Sequence, residues 1–327
     1  MTGQPTAGDR TDVVTVTPSP AIDWTITVGE FALGGVNIIE ESRKEASGKG
    51  VNVAWALHRA GVRTEAVAPV GGLAIPYFKQ EFDRGELPYR LVEIEGETRT
   101  NVSLITPGQS TKINQPGTHL SEAELTALAD AVKDAASTAR TIAFCGSLPQ
   151  GSPNDLYAQL ARSARASNPD IRVVVDSSNG SLSEALAAQP DLIKPNCQEL
   201  AWLTGMDLRS VGDVEQAARR AIDMGAKNVL ASLGVDGSML ITADSALVAV
   251  SHDIPFANAV GAGDGMLAGF LSTGTLDSDA LFAAALWGSS AVACSTTLFN
   301  VNDTFTDRIS VSELSDPERM LSDPAAA

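Results

Sequence analysis

From Ser121 onward the chain alternates strand-like and helix-like segments with few interruptions, and this constrains its fold more than any other feature. A helical pattern over 121–138 is followed by a strand at 141–145, a helix at 153–166, a strand at Arg172–Asp176, a helix at 181–187 and a strand at 191–193. Helices near 197–204 and 213–224 lead to a strand at Asn228–Ser232, a hairpin through Asp236-Gly237, and helices at 262–273 and 278–295. Such alternation implies an α/β fold, a mainly parallel sheet with helices on both faces. Ser121 with Glu124 has the spacing of a capping box.

The first half is less regular. VVTVT (13–17) and 64–70 read as buried strands, and 76–84 as a helix. Another helix opens at Ser47-Gly48-Lys49-Gly50 and runs to about Ala60, with Val53, Leu57 and Ala60 on its buried side. Trp24–Val28, Asn37–Glu45, Thr100–Thr106 and Thr111–Gln115 are half-polar, as in a small sheet open on one side, the last two joined by a hairpin at Pro107–Ser110. The expectation is a single large domain over 13–300, with segments 22–46 and 88–117 forming a small β-sheet lid. Such a lid would cover the strand ends, where open α/β sheets bind ligands. The polar ends 1–12 and 314–327 read as disordered tails.

Bulk properties exclude several functions. A net charge of −17 leaves little material for a basic face, so nucleic acid and acidic membrane are not expected partners. No apolar run is long enough to span a bilayer, and residues 1–12 lack the apolar core of a signal peptide, so a cytoplasmic protein is expected. Cys145, Cys197 and Cys294 fit neither a zinc pattern nor a disulfide framework, and His58, His119 and His252 are isolated.

Asn258–Leu271 reads NAVGAGDGMLAGFL. Gly261, Ala262 and Gly263 lead into Asp264 and then into an apolar stretch, where Met266, Leu267, Phe270 and Leu271 share one helical face. A glycine-rich turn entering a helix leaves backbone N–H groups converging on one point, which suits a phosphate. A carboxylate there repels a bound anion unless it takes a proton from the group attacking that phosphate, so the run suggests phosphoryl transfer. An ordinary loop and helix start is the plain alternative. A dinucleotide fingerprint fits poorly because the third glycine comes one residue early, and no G-x-x-x-x-G-K-[ST] loop occurs.

SGKGVNVAWAL (47–57) resembles the N-terminal signature of the ribokinase-like (PfkB) carbohydrate kinases, and NAVGAGDGMLAGFL their C-terminal one. SPAID (19–23), GETRTNV (96–102), INQPG (113–117), CGSLPQG (145–151), IKPNCQEL (193–200) and SLGVDGSM (232–239) fall between them in the family's order. The chain looks most similar to the 1-phosphofructokinase and tagatose-6-phosphate kinase branch. The resemblance implies a ribokinase-like three-layer α/β/α domain, ATP and Mg²⁺ as cofactors, and a homodimer joined through the lid. By it, Asp264 is the catalytic base, and Gly261, Ala262 and Gly263 form the anion hole. Asp23, Gly48, Gly50, Asn52 and Asn101 would meet the sugar, with Lys49 and Arg99 as cations for a substrate phosphate. Lys194, Asn196 and Glu199 would serve ATP and, through water, Mg²⁺, while Ser232, Gly234 and Gly237 would form the nucleotide loop.

Each assignment has a plainer competitor. Lys49 could be a solvated helix residue, Arg99 a partner of Glu97, Asp23 a turn former after Pro20, and Asn196 with Glu199 a helix cap. The chain also departs from the pattern at Ser47, Ser19 and Ala259. Ile38 and Ser103 stand where the branch carries Arg and Lys. Losing a charged hydrogen bond to phosphate costs roughly 1.5–3 kcal/mol. The resemblance implies fructose 1-phosphate as the acceptor, with tagatose 6-phosphate and fructose 6-phosphate next, and the two missing cations make an unphosphorylated sugar the rival. A silent sugar-phosphate-binding protein is the alternative of another class.

Overall fold

The computed structural model describes residues 11–257, 260–294 and 299–322. Its first half comprises β1 (Thr11–Val16), β2 (Ala21–Thr27), β3 (Glu41–Ser47), α1 (Lys49–Arg59), β4 (Thr64–Gly71), α2 (Ala74–Arg84), β5 (Tyr89–Ile94), β6 (Arg99–Thr106) and β7 (Gln109–Asn114). There follow α3 (Glu122–Ala136), β8 (Ala139–Cys145), α4 (Leu156–Ser167), β9 (Arg172–Asp176), α5 (Asn179–Ala185), β10 (Leu192–Ile193), α6 (Cys197–Thr204) and α7 (Val211–Asp223). The last elements are β11 (Val229–Ser232), β12 (Ser238–Ile241), β13 (Ala246–Ser251), α8 (Ala262–Thr273), α9 (Ser278–Val292) and β14 (Ile309–Glu313).

The large sheet has the order β14-β13-β12-β11-β10-β9-β8-β1-β4-β5. From β5 to β11 every pairing is parallel, and β12, β13 and β14 add an antiparallel margin. The central strands are apolar on both faces because helices cover both. Val14, Val16, Ile142 and Phe144 join the core on one side, and Val13, Ala143 and Cys145 the core on the other. From β1 the chain builds outward through β4 and β5 in one direction, and through β8, β9 and β10 in the other. The strand order therefore reverses between β1 and β8, where a crevice opens at the carboxyl ends of the strands.

The small sheet has the order β3-β2-β6-β7. Its strands stay half-buried or exposed along most of their length, as their polar composition requires. The segment assigned to the lid from residue 88 divides: Tyr89–Ile94 pairs with β4 in the large sheet, and the small sheet resumes at Arg99. Its half-buried pattern imitates a lid strand because it lies at the edge of the large sheet. The C-terminal portion is ordered further than the sequence suggests. β14 pairs with β13, and Ser322 donates its backbone and hydroxyl to Asp236 at 2.8 and 2.7 Å. At the other end, Thr11 and Asp12 already belong to β1; residues 1–10 and 323–327 lie outside the described residues. Val53 and Leu57 are buried as expected, whereas Ala60 is exposed at the end of α1. The capping boxes Ser121–Glu124 and Asn196–Glu199 are both formed.

Candidate active site

A cleft of about 1000 Å³ lies between the small sheet and the carboxyl ends of the central strands. Two helices begin on it without side-chain caps. α1 has Gly48 at its N-cap with φ 136°, and α8 has Gly261 there with φ 82°. Both angles favour glycine, and both helix ends keep backbone N–H groups free for a ligand. A Cβ on Gly48 would come within 2.5 Å of Thr17 Cγ2, so the glycine also permits the close turn onto β1.

Between them Asp176 ends β9 with no solvent exposure. Its Oδ1 takes Lys49 Nζ at 3.0 Å and Lys194 Nζ at 3.3 Å. Burial pushes the Asp176 pKa up, but Lys194 and Lys49 outweigh it and hold the carboxyl below its ordinary value. Asp176 in turn is the main reason that the Lys49 ammonium is held far above the usual lysine range, at the positive end of a helix where a cation is otherwise disfavoured. Asp176 was not among the sequence candidates. Its only signal was a carboxylate closing the apolar strand Val173-Val174-Val175.

Asp264 stands in the first turn of α8 and is buried. Its Oδ2 accepts from Asn52 Nδ2 at 2.8 Å. Burial raises its pKa above the ordinary aspartate value, Lys49 pulls it back, and Asp176 raises it again. Gly263 lies close to Lys194, whose Nζ would be 3.4 Å from an added Cβ. Asn258 and Ala259 lie outside the described residues.

A chain of polar contacts leads from this carboxylate to the small sheet. Ser47 Oγ lies 3.2 Å from Asn52 Oδ1 and 2.6 Å from Asp23 Oδ2, and its single proton can go to either. Asn101 Nδ2 donates to Asp23 Oδ1 at 2.9 Å. Arg99 does not pair with Glu97; its guanidinium donates to the Ser19 carbonyl at 2.9 Å. Lys49 stands at the Asp264 end with Lys194, rather than among the residues around Asp23.

On the other side Glu199 Oε2 accepts from the Asn196 backbone at 3.0 Å, and Asn196 Oδ1 accepts from the Glu199 backbone at 2.7 Å. The capping role is thus real, and both side chains still line the cleft. Ser232, Gly234 and Gly237 line it too. Gly237 has φ 105°, and a Cβ there would meet Ala249 O at 2.1 Å, so only glycine fits the loop. Of the sequence candidates Gly50 alone does not line the cleft. It packs α1 onto β1, with an added Cβ 2.5 Å from Thr17 Oγ1. Lys112 and Asn114 line the cleft as well, although sequence reasoning gave them no role.

The family model for the pfkB family carbohydrate kinases matches residues 11–303. The chain belongs to this family. It is 37% identical over 270 residues to the 1-phosphofructokinase of Rhodobacter capsulatus, covering 82% of this chain and 85% of that one. To the 1-phosphofructokinase of Bacillus subtilis it is 33% identical over 260 residues, covering 80% and 84%. Phosphofructokinase-2 from Escherichia coli, solved in complex with potassium, superposes with a TM-score of 0.83 at 28% identity, covering 91% of this chain and 98% of that one. The protein is accordingly a carbohydrate kinase, a phosphotransferase acting on an alcohol group. No helix among the described residues is long and apolar enough to cross a membrane.

Proposed function

We propose that the protein transfers the γ-phosphate of ATP to the free primary hydroxyl of fructose 1-phosphate, giving fructose 1,6-bisphosphate and ADP. The observation that carries this reading is Asp264, buried at the head of an uncapped helix and facing two lysines across the crevice. Its raised pKa makes it a stronger base than an exposed aspartate. The acceptor hydroxyl loses its proton to Asp264 as its oxygen bonds to the γ-phosphorus, and the bond to the ADP oxygen breaks. Backbone N–H groups at Gly261–Gly263, with Lys49 and Lys194, hold the charge on the transferring group. Asp23 and Asn101 bind sugar hydroxyls.

The donor set suits Mg²⁺ carried largely by phosphate and water. Among the described residues no cluster of three or more His, Cys, Asp or Glu forms a cage, and Asn196 with Glu199 offers oxygens at the cleft wall. Bound Mg²⁺ would neutralise phosphate charge.

The small sheet and its β2–β3 loop expose Phe31, Leu33, Val36, Ile38 and Ile113. Asn37 braces that loop, accepting from Ala32 N at 2.7 Å and donating to Ala32 O at 3.0 Å. This apolar surface supports a homodimer formed lid to lid, and a single monomer mass in light scattering across protein concentrations overturns it.

The kinase reading is tested by ADP release from Mg·ATP with fructose 1-phosphate, fructose 6-phosphate, tagatose 6-phosphate and their unphosphorylated sugars. Turnover centred on fructose 1-phosphate is the expected result. Turnover confined to unphosphorylated sugars would overturn the acceptor assignment and make Ile38 and Ser103 the reason.

A further inference from the structure

The small sheet sorts the side chains of one of its faces into rows by strand register, and Asp23, Asn101, Asn114 and Lys112 of that face line the cleft. One row is Glu45–Asp23–Asn101–Asn114, and the next is Arg43–Thr25–Ser103–Lys112. Residues within a row are cross-strand neighbours on one face of the sheet, and the rows lie about 7 Å apart. The first row touches the polar chain leading to Asp264: Asp23 meets Ser47, which meets Asn52, which holds the base. The second row stands one step farther from the reacting end. An acceptor that offers its hydroxyl to Asp264 and its middle hydroxyls to Asp23 and Asn101 therefore brings its far end to the second row.

That row has a cation at each edge and hydroxyls between them. Arg43 is already bound to Glu45 at 3.1 Å. Lys112 has no ion-pair partner among the described residues, and it lines the cleft together with Asp23 and Asn101. It also sits directly opposite Ser103, the position at which a cation is missing from β6. Resting on the kinase reading above, we infer that Lys112 binds the phosphate of the acceptor sugar, supplying from β7 the charge that Ser103 does not supply from β6. Thr25 and Ser103 add hydroxyl donors beside it. The class of acceptor this arrangement selects is a ketohexose monophosphate carrying its phosphate on the carbon opposite the reacting hydroxyl.

Steady-state kinetics of Lys112→Ala and of the relocated double variant Lys112→Ser/Ser103→Lys test this, with fructose 1-phosphate and fructose as acceptors. Lys112→Ala should raise KM for the phosphorylated acceptor about 10- to 100-fold, the loss of one charged hydrogen bond, while kcat and KM for ATP hold. Preference for fructose 1-phosphate over fructose narrows by the same factor. Relocating the cation should recover most of the KM, which a merely structural role for Lys112 would not permit. If the unaltered protein turns over a sugar phosphate and Lys112→Ala leaves its KM in place, the inference is overturned while the kinase reading stands. If the unaltered protein turns over no sugar phosphate at all, both are overturned.

Discussion

Asn52 donates its side-chain amide to Asp264 Oδ2 at 2.8 Å, joining the first turn of α1 to the first turn of α8 across 212 positions of sequence. The bond holds one carboxylate oxygen and so orients the other, Oδ1, which in the proposed reaction meets the acceptor hydroxyl. It also favours the ionised carboxylate, partly offsetting burial.

Replacing Asn52 by Ala removes a donor from the charged form of the base, so the Asp264 pKa should climb further above the aspartate range. The acid limb of the kcat–pH profile should move to higher pH, and kcat should fall roughly 10- to 100-fold through lost positioning. A limb that stays in place while kcat falls would show that Asn52 does not act through the base.

Asp264→Asn should reduce kcat by about 10²–10⁴-fold while nucleotide affinity, read by titration with an ATP analogue, is largely kept. The variant should not lose stability near neutral pH. Asp264 has a raised folded pKa, so the stability it contributes is present below the unfolded value and is lost as pH rises through the folded one. A silent binding protein would instead show its change in binding alone.

Asp176→Asn strands Lys49 and Lys194 beside each other, with Lys194 almost fully buried. Removing one partner of a buried ion pair costs about 3–5 kcal/mol. The sign is opposite to that of Asp264. The folded pKa of Asp176 is depressed, so its contribution is present above the unfolded aspartate value of about 3.9 and is lost as pH falls through the folded one. Urea midpoints should differ widely at neutral pH and converge in acid; parallel curves throughout would sink this account.

What the sequence made legible follows from how local each signal is. α8 and its glycine turn, the two capping boxes and the alternation from β8 to β11 are written within a few residues of themselves, and all are present. β5 was misplaced because an edge strand of the large sheet and a lid strand share the same half-buried pattern. β13 and β14 were passed over because their alternation is short and partly polar, and their pairing lies about sixty residues apart. In the site, Asp264 could be found from its neighbours in sequence. Asp176 could not, since its meaning comes from lysines 127 positions before it and in the segment after β10. Lys112 escaped for a different reason: its hairpin was legible, but the register that sets it opposite Ser103 and the hairpin's place over the cleft were not.

The small sheet is made of two excursions, β2–β3 leaving after β1 and β6–β7 leaving after β5. Their bases meet, since Arg99 binds the Ser19 carbonyl and Gly117 lies so near that a Cβ there would be 2.7 Å from Ser19 Oγ. On the proposed reading, acceptor choice and phosphoryl chemistry would be housed in separable parts of one chain. Two cassettes cut at these bases and exchanged with those of a relative would rewrite which sugar enters, while the floor of lysines, Asp176 and Asp264 carried on unchanged beneath them.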